Sequence, residues 1–254
     1  MDTEVKTAAA RRHHRAAKRI SDDEAAAFSK ALRRWFNRHS RELPWRQTRD
    51  AYSVLVSELM LQQTQVSRVV DYYGDFLERF PTLAHVARAK PAAVMEAWNG
   101  LGYYARARNL HKLAVEVTDH GRDTTAALPR DPAELRRLPG IGAYTAGAVA
   151  SFAYERRAPL VDTNVARVLE RVFAPGTKVK TSAGAKRIWA IAERVLPRTG
   201  RAGWTHNQAL MELGALVCTA RVRRCNACPV RRGCRSAETE ETRPTVRPAG
   251  PCAR

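Results

Sequence analysis

A chain of 254 residues, 44% hydrophobic and 27% charged, is too apolar for general disorder and long enough for one large domain or two modest ones. No stretch approaches the roughly 18 apolar residues of a membrane span, and the N-terminus has no apolar core of a secretory signal, so a cytoplasmic place is expected. Forty-four Lys and Arg stand against 25 Asp and Glu, a net charge of +19. That surplus argues for a polyanionic partner, nucleic acid before membrane surface. Of the 44 cations 36 are Arg. A GC-rich genome accounts for Arg over Lys but not for so few acids.

Residues 1–20 hold six Lys or Arg, two acids and the pair His13 and His14, and read as a basic, disordered arm. Ser21-Asp22-Asp23-Glu24 fits a capping box and opens a helix. Phe28, Leu32, Trp35 and Phe36 then repeat at helical spacing. Arg41 to Arg46 (RELPWR) predicts a turn around Pro44. Residues 51–79 predict two helices parted near 62–64, with apolar positions in a 3.6-residue period. Pro81, Pro91, Gly100 and Gly102 cut the next stretch into short helices. Further helices are predicted over 109–117, 133–138, 143–152, 162–173, 185–195 and 207–217, with a loop over 121–132 and a turn over 139–142. No period-2 run is long enough for a sheet, so the fold class is all-α with about ten helices. The segment after Cys234, rich in Pro, Glu, Thr and Arg, reads as a disordered tail.

Three features carry chemistry. The turn Leu138-Pro139-Gly140-Ile141-Gly142 sits between two helical stretches. Gly140 and Gly142 would allow positive φ and a close backbone approach, and the amides opening the next helix would suit a DNA phosphate. An ordinary αα-hairpin would look the same; the charge of +19 favours DNA. Secondly, Cys218, Cys225, Cys228 and Cys234 fall within 17 residues, spaced x6, x2, x5. Such clustering reads as a metal site, zinc or iron–sulfur. The Arg residues between them would offset the negative charge of an iron–sulfur cluster. Cys252 lies outside the pattern, a free thiol in the tail. Thirdly, two acids lie among apolar residues, where a carboxylate is costly. Glu58 stands in Val54-Leu55-Val56-Ser57-Glu58-Leu59-Met60-Leu61. Asp162 follows Pro159-Leu160-Val161, at a position that fits a helix N-cap. Glu58 could instead pair with an Arg, and Asp162 could be only a cap. Together, a raised-pKa Glu and an ionised Asp suit the splitting of a glycosidic bond, with the base of a nucleotide as leaving group after flipping.

Ser57-Glu58-Leu59-Met60-Leu61-Gln62-Gln63-Thr64-Gln65-Val66 resembles the catalytic-helix motif of adenine DNA glycosylases of the MutY type. Trp98-Asn99-Gly100-Leu101-Gly102-Tyr103-Tyr104-Ala105-Arg106-Ala107-Arg108-Asn109-Leu110 resembles that family's second signature. The hairpin, Val161-Asp162-Thr163-Asn164-Val165 and the cysteine spacing are similar too, over about 25–235. The hairpin and cysteines alone mark only the wider endonuclease III superfamily. The resemblance implies a helix–hairpin–helix glycosylase fold of two helical subdomains, one from 21–50 and 156–217, the other from 51–155 with the hairpin at 133–152. It implies a 4Fe–4S cluster loop at 218–235 held by the four cysteines, and a monomer acting on mismatched double-stranded DNA in the bacterial nucleoid.

The same resemblance gives roles. Glu58 would protonate the flipped adenine, and Asp162 would stabilise the sugar cation or bond to it transiently. Tyr144 and Asn164 would assist them. Arg41, Trp45, Arg46 and Gln208 would line the adenine pocket, with a surface helix position the plainer expectation for Gln208. Gln63 and Tyr103 would enter the base stack, whereas Trp98 and Tyr104 are expected to be core. Lyases of the superfamily carry Lys where this chain has Tyr144, which implies a monofunctional hydrolase. Family members continue into a Nudix-like domain that reads 8-oxoguanine, yet 20 residues follow Cys234. That departure keeps a thymine or uracil mismatch glycosylase open. A non-enzymatic iron–sulfur DNA-binding or redox-sensing protein is the remaining alternative, against which the pairing of Glu58 with Asp162 speaks.

Overall fold

A computed structural model describes residues 20–119 and 121–237. The expected arm, apart from Ile20, and the expected tail beyond Ala237, with Cys252, lie outside the described residues. Eleven α-helices and no strand occur among the described residues.

Helix α1 (Asp22–His39) starts at the predicted capping box: Ser21 Oγ accepts from the Glu24 amide at 3.1 Å, and Glu24 accepts from the Ser21 amide at 2.8 Å. Its Phe28, Leu32 and Phe36 face the core. Pro44–Arg46 forms a single 3₁₀ turn. Helix α2 (Ala51–Met60), capped by Asp50, is buried almost all round. Helix α3 (Val66–Arg79) is amphipathic and buries Val69, Tyr73 and Phe76. Short helices α4 (Leu83–Arg88) and α5 (Pro91–Ala97) lead to α6 (Ala105–Val117), which begins four residues before the predicted 109. Helix α7 (Pro132–Leu135) is one turn, shorter than the predicted 133–138. Asp131 caps it, and Pro132 supplies a preset first residue. After the hairpin come α8 (Ala143–Phe152), α9 (Thr163–Phe173), α10 (Ser182–Val195) and α11 (Gly200–Leu216). Two 3₁₀ turns, Cys225–Ala227 and Arg231–Gly233, shape the cysteine loop.

Helix α11 starts seven residues before the predicted 207. Thr199 caps it, and Gly200 is needed there. A Cβ at 200 would fall 1.4 Å from the carbonyl oxygen of Glu155, so only a bare backbone lets the helix begin against that turn.

One buried apolar cluster runs through the described residues. Helix α11 packs on α1 and α9, and α2 packs on α8, α3 and α6. Helix α11 also touches α8, and along this seam the candidate site is built. No helix among the described residues is long and apolar enough to cross a membrane.

Candidate active site

Glu58 lies in the last turn of α2 and is 3% exposed. Its Oε2 accepts from the Tyr144 hydroxyl at 2.7 Å. Tyr144 is the second residue of α8, so the turn that opens α8 also delivers this phenol. Burial pushes the Glu58 carboxyl up to about 7; the Tyr144 hydrogen bond and Arg46 oppose the shift, and Asp162 adds to it. A carboxyl so placed is a proton donor near neutral pH.

Asp162 is the N-cap of α9, its Oδ1 accepting from the Val165 amide at 2.6 Å and its Oδ2 from Asn164 Nδ2 at 3.1 Å. The cap fixes the carboxylate but does not keep it at ordinary acidity. Burial raises it, against the hydrogen bonds of Val165 and Asn164 and the charge of Arg167. Asn164 Oδ1 in turn accepts from Arg167 Nη2 at 2.7 Å, and Arg167 also donates to the carbonyls of Gly214 and Cys218. The two carboxyls, Tyr144 and Asn164 thus form one constellation drawn from α2, α8 and α9.

Beside it lies a second buried acid that sequence reasoning missed. Glu212 of α11 is 1% exposed. Arg41 donates to it from Nε at 2.9 Å, from Nη2 at 2.7 Å and from its backbone amide at 3.0 Å; Arg46 Nη2 donates at 2.9 Å. Burial alone would raise the Glu212 carboxyl, but the two guanidinium groups bring it down to about 2. Arg46 Nε also donates to Gln208 Oε1 at 3.0 Å. Gln208 is therefore buried, not a surface helix position. Glu212 stands in Leu210-Met211-Glu212-Leu213, an acid within an apolar helix. The signal that singled out Glu58 would have found it.

Trp45 sits in the core, its ring edge-on to Tyr73 at 5.5 Å. Trp98 is core as expected, but Tyr104 is not: it caps α6 at the surface and donates to Asn99 Oδ1 at 2.6 Å. Gln63 and Tyr103 are both exposed and both left-handed, with φ of 58° and 49°, and Tyr103 is 59% exposed. In the hairpin only one glycine is left-handed. Gly140 has φ 77°, and a Cβ there would lie 2.6 Å from Asn109 Cβ. Gly142 has φ −85°, which any residue adopts, and faces open space. No side chain among the described residues caps α8, which leaves its first amides for solvent or an anion.

The four cysteines, Cys218, Cys225, Cys228 and Cys234, line one cavity and form no disulfide. Burial pushes the Cys228 thiol up to about 11, and the other three cysteines add to the shift. Arg171 Nη1 stands 3.3 Å from Cys218 Sγ. Among the described residues no three His, Cys, Asp or Glu side chains are grouped closely enough to hold one metal ion; the thiols ring the cavity instead.

Residues 56–195 match a family model described as HhH-GPD superfamily base excision DNA repair protein. The adenine DNA glycosylase of Homo sapiens is 41% identical over 227 residues, covering 86% of this chain and 41% of that protein. That of Mycolicibacterium smegmatis is 46% identical over 197 residues, 77% of this chain and 65% of that protein. The chain thus spans about half the length of these curated relatives. Among solved structures, a thermostable thymine-DNA glycosylase superposes with a TM-score of 0.75 at 28% identity, over 85% of this chain and 97% of that one. A non-covalent endonuclease III–DNA complex gives 0.71 at 23% identity, over 88% and 100%, a likeness of fold.

Proposed function

The chain belongs to the HhH-GPD superfamily of base excision DNA repair proteins, and we propose that it is a glycosylase removing adenine mispaired with guanine or 8-oxoguanine from double-stranded DNA. The observation that carries this reading is the Glu58–Tyr144 pair beside capped Asp162. Glu58, raised to about 7, gives its proton to the flipped adenine as the N-glycosidic bond breaks. Asp162 stabilises the oxocarbenium-like sugar. Water then adds its oxygen to C1′, and the released proton restores Glu58. Tyr144 holds Glu58 and Asn164 holds Asp162. Tyr144 has no amine to attack the sugar, so the enzyme is a monofunctional hydrolase.

Arg46 and Gln208 border the base pocket, with Arg41 holding Glu212 behind them. Gln63 and Tyr103 enter the base stack, and the amides after Gly140 and Gly142 take a phosphate. The protein acts as a monomer, in the cytoplasm on nucleoid DNA. Cys218, Cys225, Cys228 and Cys234 hold a 4Fe–4S cluster. A single zinc needs four donors about 2.0–2.3 Å from one point, whereas thiols ringing a cavity suit a larger centre. When bound, the cluster supplies four iron–thiolate bonds that close the loop.

Incubation with A:8-oxoguanine, A:G, T:G and U:G duplexes, followed by alkali, tests the reading. Cleavage of the adenine strand is expected. A second reading, removal of thymine or uracil opposite guanine, is favoured by the likeness to thymine-DNA glycosylase over nearly all of that chain. Cleavage of the thymine or uracil strand alone would establish it in place of the first. Iron and sulfide with broad absorbance near 400 nm (an order-of-magnitude position) are expected of the purified protein; zinc in their place would refute the cluster.

A further inference from the structure

Arg106 has no part in the chemistry above, yet it is 6% exposed in the middle of the molecule. Among the described residues its guanidinium donates to seven oxygens. Nη1 reaches the carbonyls of Leu59, Met60 and Gln62 at 2.7, 2.7 and 2.6 Å. Nη2 reaches Thr64 Oγ1 at 3.1 Å and the carbonyls of Leu101 and Gly102 at 3.0 and 2.8 Å. Nε lies 3.4 Å from the Tyr103 carbonyl. One arm of the fork grips the last turn of α2 and the residue before Gln63; the other grips the residue after Gln63 and the two before Tyr103.

These partners are not arbitrary. Leu59 and Met60 end α2, where carbonyls lack helical partners and the helix dipole is negative, so a cation there is favoured. Gln63 and Tyr103 are left-handed, a conformation that residues with a Cβ rarely adopt and hold only when their surroundings insist. Both are exposed, while Arg106 and its partners Leu59, Met60 and Leu101 are buried. Resting on the glycosylase reading, in which these two side chains enter the duplex, we infer that Arg106 is a positioning residue that presets the Gln63 and Tyr103 loops together, at a fixed height above the end of the helix that carries Glu58. The planar, five-donor fork is what spans both loops; a lysine ammonium offers a point charge and cannot bridge them.

The test compares the full-length protein with Arg106→Lys. First, hydrogen exchange is measured without DNA. Amides of 62–64 and 101–103 are expected to exchange about tenfold faster or more in Arg106→Lys, a loss of local protection, while those of α9 do not change. Equal exchange in both loops would overturn the clamp, whatever the enzyme does. Secondly, 2-aminopurine beside the mismatch reports unstacking. The wild-type rise in fluorescence is expected to be lost in Arg106→Lys, single-turnover excision to fall by about 10²-fold, and salt-dependent affinity for matched duplex to stay within about twofold. Faster exchange with unstacking intact would overturn the positioning role and leave a purely structural one. If the wild type neither unstacks nor excises, the glycosylase reading fails, and exchange alone decides the clamp. Should Arg106→Lys not fold, Thr64→Val removes one acceptor and is expected to show the same loop exchange at smaller amplitude.

Discussion

Glu58 of α2 and Glu212 of α11 look alike in every respect but their partners. Each is buried in an apolar helix, at 3% and 1% exposure. Glu58 meets a phenol at 2.7 Å with a second carboxylate nearby, and its proton is held up to about 7. Glu212 meets two guanidinium groups, and its proton is lost down to about 2. Burial pushes both the same way, so the facing charge decides. One carboxyl is left able to give a proton away. The other is a permanent anion that ties the segment bearing Arg41 and Arg46 to α11. Arg46 serves both regions, bonded to Glu212 and pulling weakly on Glu58.

Exchanging each acid for its amide should separate these duties most sharply. Glu58→Gln is expected to lower single-turnover excision by about 10²–10⁴-fold, the range for a general acid, with the fold intact by circular dichroism. A loss under tenfold would deny Glu58 its role. Glu212→Gln should act first on stability. It leaves Arg41 and Arg46 beside a neutral amide, and removing one partner of a buried pair costs about 3–5 kcal/mol, read by urea unfolding. An unchanged midpoint would make the network ornamental.

pH gives the next contrast. If Glu58 must be protonated to act, excision should fall about tenfold per pH unit above 7. Stability should then move in opposite senses. The folded Glu58 value lies above its ordinary 4.5, so its contribution is full below 4.5 and is lost as pH rises through 7; Glu58→Gln should gain on the wild type between pH 5 and 8. The folded Glu212 value lies below 4.5, so its contribution is full above 4.5 and lost as pH falls toward 2. Smallest is Tyr144→Phe. Its hydrogen bond lowers the Glu58 value, so removing it should move the inflection of the pH–rate profile upward, with a rate change of only several-fold. An inflection that moved downward would mean that the phenol stabilises the protonated acid instead.

Legibility followed distance along the chain. The capping box at Ser21, the cap at Asp162 and the apolar run around Glu58 are local patterns, and each is visible within four to eight residues. The pairing of Tyr144 with Glu58 spans 86 positions and came only through the family likeness. Glu212 shares the local pattern of Glu58, an acid among apolar helix residues, but its counter-ions arrive from up to 171 positions away, so its pairing is not written in its neighbours. The start of α11 at Gly200 has no local signal, because the crowding against Glu155 that demands a bare backbone there is tertiary. Gly142 misled: adjacency to Gly140 suggested a shared conformation that the backbone does not use.

Asp162 starts α9 with the same carboxylate to which the proposed mechanism gives the task of stabilising the sugar. Serine, threonine or asparagine at 162 would still start the helix. Drift at this position therefore does not announce itself through misfolding or degradation. On the glycosylase reading proposed above, such a variant is expected to fold and still bind mismatched DNA without excising the base, so its harm in cells should grow with its abundance and exceed that of a deletion.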